Sequence, residues 1–168
     1  MSKKRSYTVY RFNELSKEAK EKAIQRHYDR EDYPWLYEDL KSQCEEALKK
    51  AKISIESDSL ELSYSLSHCQ GDGLSFTGYF TWRKWAVTIK RGTSNYSHRY
   101  SVNFNIENQE ALDAPGLIYD KFRAIYYKIC AVLEKQGYGI VDYYMDDIEF
   151  NEYCESNDCW FTKDGNID

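Results

Sequence analysis

Residues 60–82 read LELSYSLSHCQGDGLSFTGYFTW, and the fold follows from how this stretch is parsed. Leu60, Leu62, Tyr64, Leu66 and His68 alternate with Glu61, Ser63, Ser65 and Ser67, the period of two that gives a strand one buried face. Beyond Gln70-Gly71-Asp72-Gly73 the alternation resumes at Leu74, Phe76, Phe80 and Trp82. Glycines on both sides of Asp72 admit positive φ, so the pattern predicts two strands joined by a tight turn. Gly78 interrupts the second strand where a bulge or a close backbone approach would fit.

Working outward, Ile53 and Ile55 mark a short strand, Trp85, Val87 and Ile89 another, and His98, Tyr100, Val102, Phe104 and Ile106 a last long one after the turn Arg91–Asn95. Short connections between neighbouring strands predict an antiparallel β-meander of about four to five strands. On the N-terminal side, Ser6–Phe12 reads as a short strand entering the sheet. Ser16 caps a helix whose narrow stripe is Leu15, Ala19, Ala23 and His27 or Tyr28. Asp32-Tyr33-Pro34 starts a second helix, with Leu36, Leu40, Cys44, Ala47, Leu48 and Ala51 on one face.

On the C-terminal side, Asp113-Ala114-Pro115-Gly116 opens a long helix with a stripe at Ile118, Phe122, Ile125, Ile129, Val132 and Leu133, wide enough to cover the sheet. Gly137-Tyr138-Gly139 is expected to interrupt it, Ile140–Tyr153 to form a second helical segment, and Cys159–Thr162 a short strand. The expectation is one α+β domain over 1–168: a helix pair at 1–51, the meander at 52–107, and the helical segment with its terminal strand at 115–168.

At 168 residues, 16% of them aromatic and with only 8 Gly and 2 Pro, the chain has the means to bury a core. Its net charge of −5 argues against general affinity for nucleic-acid phosphate. Five cysteines without CxxC spacing, no apolar h-region over Tyr7–Asn13 and no apolar run of spanning length point to free thiols in a reducing cytoplasm, without membrane insertion.

Three groups of residues bear on chemistry. Ser67-His68-Cys69-Gln70-Gly71-Asp72-Gly73 puts an imidazole, a thiol and a carboxylate close together, yet neighbours on a strand face opposite ways, so a structural turn is the expected role and a small enzyme centred on His68, Cys69 and Asp72 the alternative. Arg83, Lys84, Lys90, Arg91 and Arg99 interleave with Trp82, Trp85, Tyr96 and Tyr100, a pattern that fits single-stranded nucleic acid or, more simply, protected strand edges. From Tyr138 onward, Asp142, Asp146, Asp147, Glu149, Glu152, Glu155, Asp158, Asp164 and Asp168 face a single basic residue, Lys163. A helix over 140–153 would put Asp142, Asp146 and Glu149 on one face, which reads first as a solvated face kept soluble by charge and, given tyrosines of the kind enriched at interfaces, alternatively as a docking surface. Cys154 and Cys159 lack the further ligands a structural zinc needs, so neither metal nor other cofactor is expected.

The opening Tyr10–Ala23, the Gln70-Gly71-Asp72-Gly73 turn with Ser75-Phe76, and the ending Trp160–Gly165 resemble a set of small phage and prophage accessory proteins of largely unassigned function, some labelled antitoxin-like. The resemblance implies a phage protein in the bacterial host cytoplasm that acts stoichiometrically, as an anti-CRISPR or other anti-defence inhibitor, and brings no catalytic residues with it. The expected partner is a host protein or ribonucleoprotein with a basic surface, rather than nucleic acid or membrane. The expected binding residues are Asp142, Tyr143, Asp146, Asp147, Glu149, Glu152, Tyr153 and Glu155.

Overall fold

The computed structural model describes residues 7–30, 34–108 and 115–168. Ser6, Asp32, Tyr33, Asp113 and Ala114, read above as element starts, lie outside them. The elements are a 3-10 turn at Phe12–Glu14, α1 (Lys17–Arg30), α2 (Pro34–Lys50), β1 (Ile53–Ile55), β2 (Glu61–Ser65), β3 (Gly73–Trp82), β4 (Trp85–Arg91), β5 (Val102–Asn108), α3 (Pro115–Tyr144) and α4 (Asp147–Ser156). The fold is α+β: an antiparallel five-stranded sheet with a long C-terminal helix and two N-terminal helices. Two compact units result, Trp35–Gly139 and Met1–Pro34 with Ile140–Asp168.

In the Trp35–Gly139 unit the long strand β3 is central. On one side it pairs with β4 and then β5; on the other, β1 lies against Phe80–Trp82 and β2 against Gly73–Thr77. β1 and β2 thus make one edge strand, broken at Glu56–Leu60. The break is possible because Gly78 adopts φ 146° and carries no Cβ, which would stand 2.7 Å from the Ser59 carbonyl oxygen. The close approach read from the sequence at Gly78 is therefore where the edge strand bends across β3.

Alternation puts Leu74, Phe76, Phe80, Trp82, Trp85, Val87 and Ile89 inside and leaves Ala86, Asn103, Asn105 and Glu107 on the solvent face. Helix α3 covers the inner face: Phe122 lies 5.7 Å from Trp82 and Tyr126 4.5 Å from Phe76, ring centre to ring centre. Leu36, Leu40, Cys44 and Leu48 bury the expected stripe of α2.

Four expectations are corrected. β2 stops at Ser65, so His68 sits in a loop with φ 55° instead of on the strand. β5 begins at Val102, leaving His98 and Tyr100 in the preceding loop. In α3, Val132 is 48% exposed, whereas Tyr126 and Cys130 are buried in its place. Gly137 and Gly139 do not interrupt α3. Gly137 is buried, and a Cβ on it would come within 2.5 Å of Leu66 Cδ1, so its role is close packing of the helix.

The other unit has its own core of Phe12, Leu15, Ala19, Ala23, Ile24, Phe150, Cys154 and Phe161. Ser16 Oγ accepts the Ala19 N–H at 3.3 Å, the expected cap of α1. Tyr10 exchanges both backbone hydrogen bonds with Phe161 (2.8 and 2.9 Å), so the N-terminal segment pairs with the C-terminal tail and does not enter the sheet. Arg11 fixes this pairing. Its guanidinium binds Asp158 at 2.7 Å and lies 3.7 Å above the Trp160 ring.

Candidate interaction surface

The loop carrying His68, Cys69 and Asp72 is organised by the carboxylate. Ser65 Oγ donates to Asp72 Oδ1 at 2.8 Å, Tyr138 Oη to Oδ2 at 2.7 Å, and the Cys69 N–H and Sγ to Oδ2 and Oδ1 at 3.2 Å each. Partial burial raises the Asp72 pKa, but these donors outweigh it and hold the acid well below the ordinary carboxylate range. The same carboxylate pushes the exposed Cys69 thiol up, the opposite of what a nucleophile requires. His68 lies with its ring 4.6 Å from that of Tyr138. The geometry is that of a turn latched by a carboxylate.

A pH dependence follows. A depressed native pKa contributes stability above the unfolded value of 3.8 that is lost as pH falls through the native one. Thermal unfolding of the wild type should therefore weaken below about pH 4, and Asp72→Asn should flatten that part of the profile. An unchanged acid limb in the variant would mean that the latch adds nothing.

The basic and aromatic residues of the sheet do not form one site. Arg83 and Lys84 turn β3 into β4, whereas Lys90 and Arg91 end β4 roughly 20 Å away. Trp82 and Trp85 are buried and offer no stacking face, while Tyr96 and Tyr100 are exposed at the Lys90–Arg91 end.

The acidic C-terminal stretch takes a form different from a single helix. α3 ends at Tyr144, and Asp146 caps α4 by accepting from the N–H groups of Ile148 (2.9 Å) and Glu149 (3.4 Å). Asp142, on α3, and Glu149, on α4, therefore share no helix face. Tyr143 joins the two helices, donating to Glu149 at 2.6 Å, and that carboxylate raises the tyrosine pKa.

The tyrosines of this stretch stay at the surface: Tyr143 is 55% exposed, Tyr144 and Tyr153 38% each. Tyr153 stacks on Phe150 and lies 4.7 Å from His27. Asp142, Asp146, Asp147, Glu152 and Glu155 are exposed and Glu149 half-buried. Asn151 donates to Glu155 at 2.9 Å. None of Asp146, Asp147, Glu149, Glu152 and Glu155 is ion-paired with a described basic side chain.

One residue of this surface was missed in the sequence. Ile148 is 68% exposed. With Phe150 and Cys154 turned inward, the spacing i, i+4, i+7 puts Ile148, Glu152 and Glu155 together on the outer face of α4. A helix start placed at Asp147 would have revealed it, since the inward pair Phe150 and Cys154 then fixes the outer face. Cys154 itself is buried beside Cys159, and burial first, then that neighbour, pushes its thiol up to about 12.

No protein-family model, curated protein or solved structure matches the chain. Among the described residues there is no helix long and apolar enough to cross a membrane, and no group of three or more His, Cys, Asp or Glu side chains placed to hold a metal ion.

Proposed function

We propose that this protein works by stoichiometric binding, docking the outer face of α4 and the adjoining end of α3 on a basic, nucleic-acid-handling host protein and so excluding its nucleic acid. The observation that carries this reading is the outer face of α4. There Ile148, 68% exposed, opens the row that Glu152 and Glu155 continue, with Asp147 and the Tyr143–Glu149 pair beside it. An apolar anchor ringed by carboxylates fits a surface that presents cations around a shallow pocket. Negative charge gives steering and competition with phosphate; the isoleucine gives a contact that salt does not screen. The resemblance to phage accessory proteins supplies the setting, a defence complex such as a CRISPR effector.

Asp146 caps α4 and so is unsuitable for a charge test. Asp147→Lys combined with Glu152→Lys and Glu155→Lys leaves the caps and core in place. Capture from bacterial lysate with wild-type protein should yield a partner that is released by competing nucleic acid. The triple variant should bind it at least about tenfold more weakly, equivalent to about 1.4 kcal/mol. Ile148→Ala should weaken binding at high salt as well as at low salt. A partner held equally well by the wild type and both variants would refute the proposal.

A further inference from the structure

An open cleft of about 630 Å³ lies in the Trp35–Gly139 unit, lined by Gln70, Gly71, Tyr96, His98 and Ser101. The connection from β4 to β5 builds most of it. Gly92 N–H donates to the Ser101 carbonyl at 2.8 Å, and the β4–β5 register sets Arg91 against Val102 and Lys90 against Asn103. Arg91, exposed at the end of β4 and paired with Val102, is thus the cation one ladder step from Ser101, while its strand neighbour Lys90 faces the other way.

The rings here are exposed yet supported. Tyr96 is 62% and Tyr100 60% exposed. Tyr96 rests on the backbone of Gly71, where a Cβ would stand 3.1 Å from its ring. His98 lies beside Tyr100 (4.7 Å, 34°), and Tyr100 meets Tyr127 edge to face at 4.7 Å. Arg99 lies 5.3 Å from the Tyr100 ring while bound to Glu134 at 3.0 Å, which holds that end of the platform. His98 Nδ1 accepts the Tyr100 N–H at 3.3 Å.

We propose that this cleft is a nucleotide-binding site. An unpaired base stacks on Tyr96, Gln70 and Ser101 provide donors and acceptors for its edge, and Arg91 draws the phosphate. A supported tyrosine ring next to cations is the arrangement by which proteins hold unpaired bases, because every base has a π-face and carries a phosphate. A duplex hides those faces within its stack. A free mononucleotide and a nucleotide within a single strand share the chemistry.

The test uses the full chain with AMP, UMP, short oligo(dT) and oligo(dA), and a DNA hairpin, read by calorimetry or fluorescence polarisation. Binding of a mononucleotide alone identifies a free nucleotide as ligand, and binding of the oligonucleotides alone identifies a single strand; either supports the site. Tyr96→Ala should weaken binding roughly tenfold or more. Arg91→Ala should lower the slope of log K against log salt in the oligonucleotide arm by about one phosphate contact. Both side chains are exposed, so thermal unfolding of the variants should match the wild type, and Gln70→Ala provides a third reading should either fail to fold. Ile148→Ala should leave this binding unchanged, which separates it from the docking surface of α4. No binding at millimolar ligand, binding indifferent to Tyr96, Gln70 and Arg91, or a hairpin bound as tightly as a single strand would overturn the proposal.

Discussion

Tyr126→Phe should destabilise the Trp35–Gly139 unit by about 1–3 kcal/mol, although it removes a single oxygen. The β3–β4 ladder begins at Gly78, so Phe76 has no partner on β4. The Tyr126 hydroxyl takes that place, donating to the Phe76 carbonyl at 3.0 Å and accepting the Phe76 N–H at 3.1 Å. Both residues are 1% exposed, so water has no access to either group once the hydroxyl is gone. A buried group left unpaired costs about 1–3 kcal/mol; here the carbonyl loses its donor, whereas the Phe76 N–H keeps the Cys130 sulfur within reach. Burial, and then the nearby Cys130 thiol, raise the Tyr126 pKa, so the hydroxyl stays a donor across the working pH range. Because phenylalanine keeps the ring against Phe76 and Phe104, the loss isolates the polar contribution from packing. Denaturant titration with hydrogen exchange at the Phe76 amide measures it. A change below about 0.5 kcal/mol, the range of an unremarkable surface substitution, would show that another group satisfies the strand.

Gly165→Ala should cost the other unit about 3 kcal/mol or more, and the proposed docking surface should weaken with it. Gly165 is buried with φ 75°, a conformation that costs an L-residue about 1–2 kcal/mol by itself. A Cβ there would also overlap the carbonyl oxygen of Ala19, an atom of the α1 backbone that no rotamer change can move aside. The C-terminal turn therefore settles on the small residues Ala19 and Ala23, and Phe161, 0% exposed, is fixed in the core that also holds Phe150 of α4. Gly139→Ala is the matched control. Its Cβ meets nothing within 4 Å, and alanine in a helix should gain about 1 kcal/mol over glycine. Amide exchange should rise in α1, α4 and the tail for Gly165→Ala alone; equal stability of the two variants would show that the turn yields without cost.

The same two residues show where sequence reading stopped. Ala19 and Ala23 were legible as a narrow stripe of small residues, but their purpose depends on a turn some 140 residues later in the chain. Tyr126 falls four residues after Phe122 and belongs to the stripe of α3; that its oxygen completes a strand is invisible, because periodicity registers burial and says nothing of hydrogen-bond partners. Gly137 read as a helix break on propensity, and packing against Leu66 overrode it. The acidic stretch was legible as composition. Its division between α3 and α4 turned on the capping of α4 by Asp146, a local competition that charge patterning does not resolve.

By itself the sequence determined the class of the fold, the middles of the sheet strands though not their ends, the sheet's inner face and the polarity of the tail, because alternation, helical spacing and charge are properties of neighbouring residues. Tertiary structure alone decided which carboxylates are structural, as Asp72 and Asp146 are, and which stand exposed on the outer face of α4, as Glu152 and Glu155 do. It also separated the two pairs of basic residues and brought Gly71 and Tyr96 to one cleft, since chain folding sets distances between residues that no local pattern encodes.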